Sequence, residues 1–149
     1  EQLKAGKDVA FLCEGDPFFY GSFMYLHARL ADRFKTIVIP GVSSMTAAAA
    51  RIGRPLAARN DILKVLPATL AEAVLERELQ GASSAAIIKV GRHFSKVRLV
   101  LDRLGLSARA VVIENATHDK ERCYPLHEAA GDALPYFSTI LLYAGSEPW

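Results

Sequence analysis

Short apolar runs alternate along this chain with segments in which apolar residues recur every three or four positions, the pattern of strands alternating with helices. Residues 9–13, 36–39, 61–66, 84–90, 108–114, 121–126 and 138–144 read as strands. Residues 23–33 carry Phe23, Met24, Leu26 and Leu30 at helical spacing, and 95–104 carry Val97, Val100, Leu101 and Leu104 on one face. Ser43 and Ser44 open an alanine-rich helix that runs past Met45 to Ile52, whose small side chains permit close packing. Thr69 and Glu72 have capping-box spacing at the head of a helix over 69–79, and Ser22 stands where it could cap the helix that follows it. No helix of full length separates the late strands, so these are expected to pair antiparallel. The predicted class is α/β with a mixed sheet, and its one plausible boundary lies near Pro40 and Gly41.

Candidate chemistry gathers in the loops that follow strands. The first is EGDPFFYGS at 14–22. Gly15 can turn the backbone sharply or admit a close neighbour, and Pro17 holds Asp16 out of the helical region, so the carboxylate is presented in a preset direction. Phe18, Phe19 and Tyr20 set flat apolar surface beside it, although local chemistry alone reads first as a strand-to-helix turn with Asp16 as a local cap. PGVSSMTAAA, KVGRHF and ENATHDKER repeat the arrangement, each placing small, hydroxylic or carboxylate residues directly after an apolar run. In open α/β sheets ligands sit outside the carboxyl ends of strands, so four such loops in order carry more weight than one.

Composition narrows the function. With 51% hydrophobic residues among 149, the chain can bury a good core, and its net charge of +2 is spread without the basic block of a nucleic-acid binder. No apolar run has the length of a membrane span, and cytosol is the default compartment. Cys13 and Cys123 are far apart and read as buried or partly buried residues, while the four histidines lack metal-ligand spacing, so no metal is expected. Neither a P-loop nor a strand-linked G-x-G-x-x-G is present, which argues against a nucleotide or phosphate binder. The chain opens on Glu1 with a segment that reads as the tail of a helix, and is expected to start inside a larger protein.

GDPFFYG at 15–21, PGVSSMTAAA at 40–49 and the closing strand resemble the tetrapyrrole (corrin/porphyrin) methylase family across essentially the whole chain. Within it, residues 89–106, 113–126 and 135–142 are most similar to members that methylate C20 of precorrin-2 in cobalamin biosynthesis. The family's amino-terminal strand and glycine-rich loop are not matched, so the resemblance implies the end of a first domain at 1–39 followed by a second domain at 40–149. It further implies S-adenosylmethionine as methyl donor, an anionic tetrapyrrole as substrate, and a homodimer without nucleic-acid or membrane partners.

By the same resemblance the donor is held between the two domains by Glu14, Gly15, Asp16 and Phe19, by Ser43 and Ser44, and by Val90, Ala116 and Thr139. Tyr20, Arg92 and His93 have weaker claims toward the substrate, the latter two through its carboxylates. Lys96, Arg98 and Arg103 suit a solvated helix face, Arg54, Arg59 and Asn60 flank a loop, and residues 118–122 read as a polar hairpin. No catalytic base stands out. The competing class is a dimerisation or structural domain without catalysis.

Overall fold

The computed structural model describes residues 1–145. The chain divides into two units, one formed by Glu1–Ser43 and the other beginning at Ser44.

In the first unit a single α-helix, α1 (Phe23–Leu30), follows the Gly-Asp-Pro loop. Phe23 packs against Phe11 at 5.3 Å and Phe18 at 5.9 Å, and Phe18 meets the His27 ring edge-on at 5.0 Å. Ser22 does not cap α1 with its side chain. Its backbone is already helical, at φ −79° and ψ −15°, rather than in the extended conformation that aims a capping oxygen at the first amides. The strands expected at 9–13 and 36–39 are not formed, because a strand exists only through hydrogen bonds to a neighbour and this unit contains no ladder. Their apolar side chains consequently remain in solvent: Leu12 is 92% exposed and Ile39 78%, and no residue of the unit is buried.

The second unit is built on a five-stranded sheet. Its elements in order are α2 (Ser44–Arg51), β1 (Leu63–Pro67), α3 (Glu72–Leu79), β2 (Ser84–Ile88), α4 (Phe94–Arg103), β3 (Ala110–Glu114), β4 (Arg122–Pro125) and β5 (Ser138–Tyr143). The spatial order is β1-β2-β5-β3-β4. β1 and β2 are parallel, joined through α3 as a parallel connection requires, whereas β5 is antiparallel to β2 and to β3, and β4 to β3. Every residue of β2 and β5 is buried, which explains why SAAII and STILLY show no polar alternation. β4, at the edge, is largely exposed.

Side-chain alternation assigns two cores to the two faces of this sheet. Ala85, Ile87, Ala110, Val112, Ile140 and Leu142 point toward α3 and α4, where they meet Leu75, Leu79, Val97, Val100 and Leu101. Ala86, Ile113 and Leu141 point the other way and meet Ala48 and Ala49 of α2, whose methyls let that helix lie close to the strands. Arg103 ties the helical layer together on its outer side, reaching Glu72 at 2.7 Å and Glu76 at 2.6 Å. These pairs are solvent-facing and add little beside the apolar burial. The capping box expected at Thr69 and Glu72 is absent. Leu70 N–H donates to Pro67 C=O, which turns the chain before the helix and makes Ala71 the N-cap.

Packing in the larger core sets the stability of this unit. Replacing Leu101, which is fully buried, by Ala is expected to cost about 2–5 kcal/mol in urea unfolding, whereas Leu99→Ala, 51% exposed on the same helix, stays within about 0.5 kcal/mol.

Candidate functional site

The residues nominated from the sequence divide between the two units. In the first, the Gly-Asp-Pro loop is fastened to the Pro40-Gly41 turn. Asp16 Oδ1 accepts from Phe18 N–H at 2.9 Å, and Oδ2 accepts from Gly41 N–H at 2.9 Å across 25 residues of sequence. These bonds, Gly41 first, hold the Asp16 carboxyl below its ordinary pKa of 3.8. The carboxylate is thus a clamp between two loops, and the direction that Pro17 imposes on it serves the fold of the loop itself. The approach is close enough that only glycine is admitted: a Cβ on Gly41 would lie 2.2 Å from the Gly15 carbonyl oxygen. Gly15 has φ +80°, and Tyr20 adopts φ +55°, rare for a residue with a side chain. Phe19 and Tyr20 stack edge to face at 5.1 Å. Glu14 is exposed, and Ser43 closes the unit.

In the second unit, β2 and β3 point the same way with β5 reversed between them. Residues just past β2 and β3 therefore converge with residues at the start of β5. The pairing of Ile113 with Thr139, and the bond from Asn115 N–H to Phe137 C=O at 2.7 Å, place the loop containing Ala116 beside Thr139. Leu134 N–H donates to Gly91 C=O at 3.1 Å, bringing the loop that contains Val90 to the same sheet end. Val90, Ala116 and Thr139 thus lie at one end of the sheet.

Their side chains differ in what they can offer. Val90 is fully buried in the core under α3 and α4, so the packing role expected of its side chain is already taken, and its carbonyl accepts from His93 N–H at 2.7 Å. Ala116 and Thr139 belong to the opposite face, the one α2 covers. Arg92 and His93 lie in the 3-10 turn Gly91–His93 that leaves this edge, Arg92 exposed. Ser44 is the first residue of α2 and is exposed.

Backbone strain marks these loops more sharply than residue type does. Among the described residues, five without glycine's freedom have positive φ, and four lie in the nominated loops: Tyr20, Lys89, Asn115 and Thr117. Asparagine tolerates that conformation, but nothing in the sequence singles out Lys89 or Thr117. Two carboxylates have partners that the sequence does not announce. Glu114 is buried at the end of β3, with Oε1 accepting from Tyr124 O–H and Oε2 3.8 Å from Arg122. Burial and then Glu114 push the Tyr124 phenol well above its usual pKa, so it stays a donor. Glu121, read as part of a polar hairpin, accepts from Thr117 N–H at 2.6 Å and pairs with Arg51 at 2.7 Å. Cys123 is exposed rather than sheltered, being on the edge strand. No group of three or more His, Cys, Asp or Glu among the described residues could hold a metal ion, and no helix there is long and apolar enough to cross a membrane.

Residues 1–130 match the family model described as Tetrapyrrole (Corrin/Porphyrin) Methylases. The chain belongs to that family. It is 46% identical over 140 residues to a precorrin-2 C(20)-methyltransferase of Sinorhizobium, covering 94% of this chain and 57% of that protein. It is 36% identical over 143 residues to a cobalt-precorrin-2 C(20)-methyltransferase of Salmonella typhimurium, covering 95% of this chain and 60% of that one. Among solved structures, a cobalt precorrin-4 methyltransferase superposes with a TM-score of 0.79 at 23% identity, over 95% of this chain and 66% of its own. The chain therefore shares the fold and spans a little over half the length of these two curated relatives.

Because folding lowers the Asp16 pKa, the clamp is intact above pH 3.8 and is lost as the pH falls through the lower folded value. An NMR titration should show the Phe18 and Gly41 amides moving together with one midpoint below 3.8, a transition that Asp16→Asn abolishes; separate midpoints would break the clamp description.

Proposed function

We propose that this chain is part of an S-adenosylmethionine-dependent methyltransferase that methylates C20 of precorrin-2 to give precorrin-3A in cobalamin biosynthesis. The observation that carries the reading is the 46% identity to a precorrin-2 C(20)-methyltransferase over nearly all of this chain. The lower identity of 36% to the cobalt-precorrin-2 enzyme favours the metal-free substrate.

The sulfonium of S-adenosylmethionine would supply an electrophilic methyl group: the new carbon–carbon bond at the meso carbon would form as the methyl–sulfur bond breaks, leaving S-adenosylhomocysteine, and the meso carbon would then lose its proton. The chemistry asks the protein for alignment above all, and orientation is worth up to roughly 7–11 kcal/mol of barrier where one acid or base gives about 10²- to 10⁴-fold. The residues suit such a role. Within the first unit, the backbone groups around Glu14, Gly15, Asp16 and Phe19, and at Ser43, are the candidates for donor contact. Within the second unit, the candidates are Ser44, the carbonyl side of Val90, the backbone at Ala116 and the Thr139 end of β5. Ala116 adds only a methyl between two left-handed residues, so a bulky ligand can come close to the main chain. Arg92 and His93 would meet acetate or propionate carboxylates of the tetrapyrrole, and Tyr20 would border the substrate.

Titration calorimetry with S-adenosylhomocysteine, against ATP as control, tests the donor site. The chain is expected to bind it saturably and to ignore ATP, and Ala116→Trp is expected to abolish binding, with thermal unfolding of the variant run alongside because Ala116 packs on the face that α2 covers. Incubation with S-adenosylmethionine and either precorrin-2 or its cobalt complex then tests the substrate: transfer of one methyl group to the metal-free compound is expected to be faster. A folded chain that forms dimers and binds no donor would favour the non-catalytic, structural reading.

A further inference from the structure

The loop Asn115–Thr117 holds an unusual backbone for which local sequence gives incomplete cause. Asn115 has φ +49° and Thr117 φ +68°, and the threonine, being β-branched, is poorly suited to that region. Something outside the turn must keep it there. The Glu121 carboxylate does so directly, accepting from Thr117 N–H at 2.6 Å through Oε2. Arg51, at the last position of α2, holds that carboxylate in turn, its Nε lying 2.7 Å and 2.9 Å from the two oxygens. The Thr117 amide first and Arg51 second keep the Glu121 carboxyl below its usual pKa, so it is an acceptor at neutral pH.

The position of this pair matters more than its strength. Arg51 is 57% exposed at its side chain, and ion pairs of that exposure contribute little to global stability. Its two ends nevertheless join two elements that pack on the same face of the sheet. α2 begins at Ser44 and buries Ala48 and Ala49 against that face, and Ala116 packs on the same small cluster. A shift of either element alters the spacing between Ser44 and Ala116.

We propose that Arg51 and Glu121 are positioning residues: they lock the left-handed turn at Asn115–Thr117 and fix it relative to α2, so that the backbone at Ala116 is preset for the methyl donor. The inference rests on the donor-site reading above. Neither residue touches the donor in this account, and both act through the turn.

Calorimetry of S-adenosylhomocysteine binding, paired with thermal unfolding, tests it on the chain and on Glu121→Ala, Glu121→Gln and Arg51→Met. Glu121→Ala is expected to weaken binding about tenfold or more with little change in melting temperature, because a charge-assisted bond to the turn is lost while the core is untouched. Glu121→Gln keeps an oxygen for the Thr117 amide and should recover most of the affinity. Arg51→Met should fall between the two, and it carries the test should Glu121→Ala fail to fold. Parent-like affinity in both Glu121→Ala and Arg51→Met would overturn the proposal alone. Absence of binding by the unsubstituted chain would overturn the donor-site reading, and the proposal with it.

Discussion

The constraint on which the second unit depends is the insertion of β5 between β2 and β3. Two strands pointing the same way are separated by one strand width, and only a segment arriving from the other direction closes the gap with full antiparallel ladders. The last strand supplies six buried residues to it, and these divide by alternation between the core under α3 and α4 and the core under α2. Because β5 begins where β2 and β3 end, the same closure that completes the hydrophobic sandwich assembles the loops around Val90, Ala116 and Thr139. The convergence of these loops and the closure of the core are consequences of one topological event.

The first unit follows a different logic. It has no buried residue, and its defining contact is polar: one carboxylate bridging two backbone amides so that two glycine-containing turns touch. A glycine at 41 is imposed by the Gly15 carbonyl at a distance no side chain tolerates, and this accounts physically for the pairing of Gly-Asp-Pro with Pro-Gly in one sequence.

Much of this could be read from the chain, for reasons that differ by element. β2 and β5 were legible because strands covered on both faces become unbroken apolar runs, and the antiparallel late strands followed from the lack of room for helices. Residues 9–13 and 36–39 look equally strand-like but form no ladder, since apolar sequence specifies a preference for burial and not the neighbour that satisfies it. Thr69 and Glu72 have capping spacing, yet the turn closed by Pro67 makes Ala71 the N-cap and starts the helix at Glu72. The sequence around Asp16 suggests a carboxylate of fixed direction, but its partner Gly41 lies 25 residues away, beyond the reach of local pattern. The role of Glu121 is hidden in the sequence for the same reason: its partner Arg51 is 70 residues distant, and in sequence it is one charge in a polar loop.

The central claim is that the donor surface of the second unit is the sheet edge where β2 and β3 end and β5 begins. Its most direct test is an NMR titration of the isotope-labelled chain with S-adenosylhomocysteine, following every backbone amide. The account predicts that the largest shifts in this unit cluster at Lys89–Gly91, Asn115–Thr117 and Ser138–Thr139, with the opposite ends of the same strands unmoved. Saturable binding whose shifts fall instead around the opposite sheet end, or on the outer faces of α3 and α4, would contradict it.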